Sequence, residues 1–223
     1  MHGDAELAEP ARLMGEPARA AMLAALLDGR SLPAGELAAI AGVTAPTASA
    51  HLARLLDGGL VAERRLGRHR YYSLAGPRVA AAIEALQAIA PRREVVSYRQ
   101  AKAAVRLAEA RSCYDHLAGR VAIGLADALA AEGAVEALEA GAPGRLGRVD
   151  GELGRRFRLD ELRAEGRRAI VRGCLDWTER RPHIAGRLGA HLLEVALDEG
   201  WVERMPEGRG LVVTASGRAV LPA

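Results

Sequence analysis

The sequence predicts a mainly α-helical protein with small β hairpins, organised in two parts. Segments of helix length, with apolar residues three and four positions apart, occupy most of the chain. Short alternating runs around glycine turns predict hairpins near residues 60–74 and 201–214. Two later segments, residues 116–133 and 183–200, align without gaps and indicate an internal duplication. We therefore expect one helical part with a hairpin, followed by a part that is built twice.

The first part runs from Glu16 to Leu74. Its residue pattern predicts, in this order, a helical run, a short helix, a turn, a second helix and a basic hairpin. Thr44 is a suitable N-cap for the second helix, because its hydroxyl can accept a hydrogen bond from a first-turn N–H. Pro46 falls within that first turn, where the N–H that proline lacks would have no hydrogen-bond partner in the helix. Apolar residues at helical spacing predict the buried face of this helix: Ala48, Leu52, Leu55 and Leu56. This order of elements is that of a winged helix-turn-helix.

Such a module places its second helix in the major groove, where small polar side chains can approach base edges. The polar residues left outward on this helix are predicted to contact DNA: Thr44, Thr47, Ser49, His51 and Arg54. The hairpin, or wing, adds a second set of predicted contacts: Arg64, Arg65, Arg68, Arg70 and Tyr71. The net charge is only +3, so the location of the arginines, rather than their number, favours double-stranded DNA as the partner.

At these residues the sequence resembles the ArsR-type family of bacterial repressors. The resemblance depends on three pieces of about the first 95 residues: LMGEPARAAMLAALLDG, VTAPTASAHLARLLDGGLV and the wing RLGRHRYYSL. It implies a homodimer that binds a palindromic operator and releases it when an effector binds. The remaining residues lie outside an ordinary short member of that family, so effector sensing is expected there.

The segment PRVAAAIEALQAIA, residues 77–90, predicts a further helix with an apolar stripe that requires a partner. The stripe consists of Val79, Ile83, Leu86 and Ile89. The resemblance implies that this helix pairs with its symmetry mate. We place the boundary near Pro91 to Ser97, which gives a DNA-binding and dimerisation domain at residues 1–95. Residues 96–223 form the predicted effector domain of two winged-helix-like repeats.

The two cysteines precede the repeated motif His-x-Ala-Gly-Arg, Cys113 before His116 and Cys174 before His183. Cys-x-x-His on one helical turn can bring sulfur and imidazole within reach of one ion. Two such half-sites would supply a four-ligand set suited to zinc or a softer thiophilic ion. The second copy departs from this pattern, because Pro182 stands between its cysteine and its histidine. A metal site at these four residues would therefore depend on tertiary folding.

Other interpretations of the same residues remain open. Cys113 lies near Arg111 and before a predicted helix start, which would favour a thiolate that senses oxidants. Alternatively, the small Ala and Gly of the motif allow close packing, or aromatic residues hold an organic ligand. In each case we expect the effector in a cleft, with a hinge near Pro91 to Ser97. The predicted lining residues are Cys113, Tyr114, His116, Cys174, Trp177 and His183.

The sequence also lacks the familiar metal sites of the family, so we expect any response to an effector to come from the second part. The segment ELAAIAG lacks the Cys-x-Cys that arsenite- and cadmium-sensing members carry, and the dimer helix offers only Glu84 as a ligand. An enzyme with Cys113 activated by His116 is one alternative, but no third catalytic group or oxyanion-hole loop is evident. We therefore predict no enzyme. The other alternative is an architectural DNA-binding protein without an effector.

Composition favours an intracellular protein. Two cysteines in a cytosolic chain seldom form a structural disulfide. No apolar run approaches the roughly 20 residues that a membrane helix needs, so no membrane partner is expected. The acidic start MHGDAELAEP lacks the apolar region of a signal peptide, so the expected location is the cytoplasm.

Overall fold

The structure, a computed structural model, describes residues 4–91, 97–136, 138–162, 168–206 and 208–222. The chain divides into two compact units, Met1–Ile83 and Glu84–Ala223. Most of the predicted hinge from Pro91 to Ser97 lies outside the described residues. Within the described part of the chain, no helix combines the length and apolar character needed to cross a membrane. The predicted mainly α-helical class with small antiparallel hairpins is confirmed.

The N-terminal unit contains four helices and the start of a fifth among its described residues. They are α1 (Ala8–Gly15), α2 (Pro17–Ala25), α3 (Ala34–Ala41), α4 (Ala45–Asp57) and α5 (Pro77–Ile89), with a 3-10 turn at Leu26–Asp28. Its antiparallel sheet has the order β1-β3-β2, where β1 is Leu32–Pro33, β2 is Val61–Leu66 and β3 is His69–Leu74. Gly42 adopts a left-handed φ of 66° and ends α3. The winged helix-turn-helix predicted from the sequence is therefore present.

The buried face of α4 differs from the prediction at one position. Ala48, Leu52 and Leu55 are buried, but Leu56 is 38% exposed. Successive helical residues point about 100° apart, since each turn holds 3.6 residues, so Leu55 and Leu56 cannot both face the centre of the core. The predicted buried face of α4 therefore included one residue too many, Leu56.

The apolar stripe of α5 is also divided differently from the prediction. Ile83 is only 7% exposed within one chain, together with the buried Ala80 and Ala88. Leu86 and Ile89 are 46% and 80% exposed. The residues of α5 available for a partner are therefore Leu86 and Ile89, because Ile83 already belongs to the core of the single chain.

The C-terminal unit combines short strands with helices around one apolar core. Its helices are α6 (Tyr98–Glu109), α7 (Arg120–Ala131), α8 (Glu152–Arg156), α9 (Gly186–Asp198) and α10 (Ala215–Arg218). Its strands are β4 (Arg111–Cys113), β5 (His116–Ala118), β6 (Pro143–Gly144), β7 (Val171–Leu175), β8 (Pro182–Ala185), β9 (Val202–Arg204) and β10 (Leu211–Val213). They form antiparallel sheets of order β4-β5, β6-β7-β8 and β10-β9.

Both aligned segments begin in the same way, as the second strand of a hairpin that leads directly into a helix. The first is β4-β5-α7 and the second is β7-β8-α9. Gly119 and Gly186 join strand to helix with positive φ values of 91° and 83°. A Cβ atom would approach a backbone carbonyl oxygen to 2.7 Å at either position, Glu109 O at Gly119 and Ile170 O at Gly186. The repeated Ala-Gly therefore meets a local backbone requirement in each copy; the winged-helix-like character of the two halves stays a prediction.

Candidate nucleic-acid interface and metal centre

The start of α4 presents a polar surface. Thr44 caps the helix, and its Oγ1 accepts a hydrogen bond from the N–H of Thr47 at 3.4 Å. Thr44, Thr47, Ser49 and Arg54 are exposed. His51 is different, because its side chain is only 15% exposed and its Nδ1 lies 3.4 Å from Glu16 Oε2. Four of the five predicted α4 contacts can therefore reach a ligand without rearrangement.

The wing, formed by β2 and β3, carries its basic side chains outward. Arg64, Arg65, Arg68 and Arg70 are exposed, whereas Tyr71 is half-buried. Glu63 lies among them: its carboxylate is 3.1 Å from Arg65 Nε and 3.6 Å from Arg70 Nη1, and it accepts a hydrogen bond from the Tyr72 hydroxyl. The hydrogen bond from Arg65 holds the pKa of Glu63 below its usual value. Arg64 and Arg68 have no ion pair in the described part of the chain, so they are the free cations of the wing.

The two hairpins of the C-terminal unit each set a cysteine opposite a histidine. Cys113 on β4 is the antiparallel partner of His116 on β5, and Cys174 on β7 is the partner of His183 on β8. The helical-turn geometry expected for Cys-x-x-His is therefore wrong. A tight turn connects Cys113 with His116, and a longer loop connects Cys174 with His183. The two cysteine–histidine pairs are therefore equivalent in the fold although their spacings in the sequence differ.

The two pairs meet in one buried cluster. The Sγ atoms of Cys113 and Cys174 are 3.7 Å apart, and the rings of His116 and His183 stack with centroids 5.1 Å apart. One ligand atom from each of the four residues lies within 4.8 Å of every other. Both histidines and Cys113 are buried, while Cys174 is partly exposed. The structure thus brings together the four metal-ligand candidates chosen from the sequence.

Glu84, on α5, contacts both sulfur atoms. Its Oε1 accepts a hydrogen bond from Cys113, and its Oε2 lies 2.9 Å from Cys174 Sγ. The sequence interpretation noted Glu84 only as an insufficient ligand on the dimer helix. A sequence signal was available, since Glu84 follows Ile83 of the predicted apolar stripe and is the single charged residue between Val79 and Ile89.

The two thiols are not equivalent. Burial raises the pKa of Cys113 well above its usual value. The hydrogen bond from Cys113, supported by His116 and His183, holds the pKa of Cys174 far below its usual value. The expectation that Cys113 is the favoured thiolate is therefore wrong: a buried sulfur beside a carboxylate keeps its proton, and the sulfur between two imidazoles loses it. Burial also raises the pKa of Glu84 to about 7.

The histidines differ in the same way. Burial alone would lower the pKa of His116, but the Asp115 hydrogen bond and the Cys174 sulfur outweigh it and raise the pKa to about 9. Burial lowers the pKa of His183. Asp115 orients Nδ1 of His116 at 3.2 Å and is itself held by Arg168. Such carboxylate support of a histidine is typical of metal-binding imidazoles.

A buried ion pair supports the second hairpin. Arg111 and Asp176, 1% and 0% exposed in their side chains, lie 2.8 Å apart. Asp176 also accepts hydrogen bonds from the N–H of Gly119 and from Thr178. Arg111 thereby keeps the pKa of Asp176 low despite burial. Sequence reasoning named Arg111 only as a neighbour of Cys113 and missed Arg168; only the fold brings Arg111 to Asp176 and Arg168 to Asp115.

The cluster satisfies the chemical requirements of a metal site. Nε2 of His116 and both ring nitrogens of His183 are buried without a hydrogen-bond partner among the described residues. Buried polar atoms are normally paired, so these nitrogens are available to a ligand. Two sulfurs at about 2.3 Å from one tetrahedral zinc ion stand about 3.8 Å apart, which matches the observed 3.7 Å. Zinc or a softer divalent ion fits this donor set.

The predicted aromatic lining is less closely associated with the cluster. Tyr114 lies in the tight turn of the first hairpin with a positive φ of 59° and is half-buried. The ring of Trp177 packs against the guanidinium of Arg111 at 4.9 Å and that of Arg209 at 5.9 Å. No ring contact between described residues joins Tyr114 or Trp177 to the four ligand candidates.

Both parts of the chain are similar to known proteins. A family model described as a helix-turn-helix domain matches residues 14–64. YdfF of Bacillus subtilis, an uncharacterized HTH-type transcriptional regulator, is 42% identical over 216 residues, which cover 95% of this chain and 93% of that protein. The similarity therefore extends through the C-terminal unit.

Shorter relatives match less than half of the chain. The HTH-type transcriptional regulator CmtR of Mycobacterium tuberculosis is 40% identical over 80 residues, 36% of this chain and 67% of CmtR. The NMR structure of the cadmium metal-sensor CMTR from that organism is 35% identical and covers 42% of this chain and 100% of its own, with a TM-score of 0.33. A likeness at that TM-score carries no argument about the fold.

Proposed function

This chain belongs to the family of HTH-type transcriptional regulators, and from that premise we propose that it is an ArsR-type homodimeric repressor whose C-terminal unit senses a metal ion. The observation that carries the proposal is the buried cluster of Cys113, His116, Cys174 and His183 within a DNA-binding regulator. The separation of roles follows the sequence: residues 1–95 bind DNA and dimerise, and residues 96–223 bind the effector.

The N-terminal end of α4 enters the major groove in this proposal. Thr44, Thr47 and Ser49 are exposed there and are small enough to approach base edges. The wing then contacts the flanking phosphates, chiefly through the unpaired Arg64 and Arg68. Phosphate contacts give affinity and register, and base contacts give specificity.

The homodimer forms through α5. Leu86 and Ile89 are exposed apolar residues on that helix, one turn apart, and a symmetry-related α5 would cover both. Two α4 helices related by this two-fold axis would read half-sites about 34 Å apart, one turn of DNA, which requires a palindromic operator.

The effector is a thiophilic divalent ion such as Zn²⁺ or Cd²⁺. The donors are two sulfurs and two imidazole nitrogens, and metal binding requires loss of the cysteine protons. The low pKa of Cys174 and the buried ring nitrogens of His183, which have no hydrogen-bond partner among the described residues, prepare one hairpin for the ion. The chain acts by binding rather than by catalysis, and its relatives carry the names of regulators.

The test combines metal analysis with a gel shift on DNA from upstream of the gene. We expect the purified chain to bind one Zn²⁺ or Cd²⁺ per protomer and the ion to change its affinity for that DNA. The double variant Cys113→Ser, Cys174→Ser should bind the DNA as the wild type does but neither retain nor respond to metal. His191→Asn is the matched control, because His191 lies on α9 outside the cluster and hydrogen-bonds to the Phe157 carbonyl.

An oxidant is the second candidate effector, since the two Sγ atoms are 3.7 Å apart. Peroxide would then join Cys113 and Cys174 as a disulfide, with two electrons and two protons passing to peroxide to form two waters. Mass analysis after thiol blocking distinguishes the two effectors. A wild-type-like metal response of the double cysteine variant would contradict the metal proposal.

A further inference from the structure

Glu84 is placed unusually for a residue of an apolar helix face. Its side chain is 6% exposed, and each of its two carboxylate oxygens faces a different sulfur of the cluster. The carboxylate therefore bridges Cys113 and Cys174, which come from different hairpins. One carboxylate oxygen would be enough to contact both cysteines. Glu84 instead uses a separate oxygen for each cysteine, and this arrangement requires a further explanation.

The Glu84 carboxylate forms no close ion pair, although it interacts electrostatically with His116 and Arg209. Among the described residues, no lysine, arginine or histidine forms an ion pair with it within 4.0 Å. Burying a carboxylate without such a partner is costly, and proteins compensate by pairing it, by protonating it or by binding a metal. The thiols and the imidazole nitrogens converge on one space, and Glu84 borders that space through its contacts with both sulfurs, which favours metal binding.

We propose that Glu84 is the fifth ligand of the metal ion, which is then held by two sulfurs, two nitrogens and one oxygen. This inference rests on the proposed metal site at Cys113, His116, Cys174 and His183. Carboxylate oxygen is an ordinary zinc ligand, and zinc, although usually held by four ligands, can expand to five. Arg209, hydrogen-bonded to Gln87 one turn along α5, places positive charge near this anionic donor set.

The fifth ligand gives the ion a direct connection to α5. This helix starts at Pro77 in the N-terminal unit and continues to Ile89, and the boundary between the units falls just before Glu84. A bond from Glu84 to the ion would replace its contacts with the Cys113 and Cys174 sulfurs. The occupied site therefore constrains the helix that also carries the proposed dimer contacts, Leu86 and Ile89.

The test uses Co²⁺ bound to the full-length protein in place of zinc. Thiolate-to-cobalt charge transfer reports the cysteine ligands, and the d–d bands are intense for four ligands and weaker for five. We expect the wild type to show charge transfer with weak d–d bands. Glu84→Gln should keep the charge transfer, gain d–d intensity and bind Co²⁺ at least tenfold more weakly. Glu194→Gln, an exposed position on α9, is the matched control and should match the wild type.

Two outcomes overturn the inference in distinguishable ways. Intense d–d bands in the wild type that Glu84→Gln leaves unchanged would remove Glu84 from the ligand set while the four-ligand site stands. Absence of the charge-transfer band from the wild type would remove the cysteine ligands, and with them both the proposed metal site and its fifth ligand. Circular dichroism of each variant establishes that it is folded.

Discussion

The Sγ atoms of Cys113 and Cys174 lie 3.7 Å apart although 61 positions separate the two residues. Each sits on the first strand of its own hairpin and is paired across that hairpin with a histidine. The predicted internal duplication would thus supply two half-sites of the proposed metal site, and the fold of the C-terminal unit brings these four residues together. A single copy would provide only two ligands, too few to enclose an ion.

The first prediction concerns the wing. Arg68→Ala should weaken binding to operator and unrelated DNA alike and should reduce the slope of log affinity against log salt by roughly one, because one phosphate contact is lost. Thr47→Ala should instead cost about 1–3 kcal/mol at particular base pairs only. Fluorescence anisotropy across a salt series measures both effects. Arg148→Ala, an exposed arginine of the C-terminal unit, is the control; an Arg68→Ala protein with unchanged affinity would argue against docking of the wing.

The second prediction concerns assembly. Leu86→Asp should shift the protein toward monomer, because a buried dimer contact would then carry an unpaired charge. Ile83→Asp is unsuitable as a test, since Ile83 is buried within one chain and its substitution should unfold the N-terminal unit. Sedimentation equilibrium measures the change, with Leu66→Asp in the exposed wing as the control. A Leu86→Asp protein that remains dimeric would move the interface away from this face of α5.

The third prediction concerns the buried ion pair of Arg111 and Asp176. Arg111→Met should destabilise the C-terminal unit by about 3–5 kcal/mol, because it leaves the Asp176 carboxylate buried and uncompensated. Arg181→Met, which removes an exposed pair with Asp127, should cost less than about 1 kcal/mol. Both tryptophans, Trp177 and Trp201, belong to this unit, so their fluorescence during urea unfolding reports on it alone. Equal losses for the two variants would show that burial of the pair has no special role.

Local signals in the sequence were sufficient for the N-terminal unit. The cap at Thr44, Pro46 in the first turn of α4, and the alternation of the wing each act over a few residues, so they were recognisable without the fold. The identification as a helix-turn-helix regulator with an appended domain is confirmed by the comparisons. The errors at Leu56 and Ile83 concern which side of a helix is covered, and that depends on packing against distant segments.

For the candidate metal site, the sequence determined the residue types, and the tertiary structure decided their geometry. Duplication identified Cys113, His116, Cys174 and His183 as equivalent pairs, but hairpins rather than helical turns join them. Glu84 contacts the two cysteines, and Arg168 supports His116 through Asp115, from positions that no spacing rule connects with the cluster. Which thiol holds its proton was likewise beyond the sequence, because a pKa depends on burial and on the charges that folding places within a few ångströms.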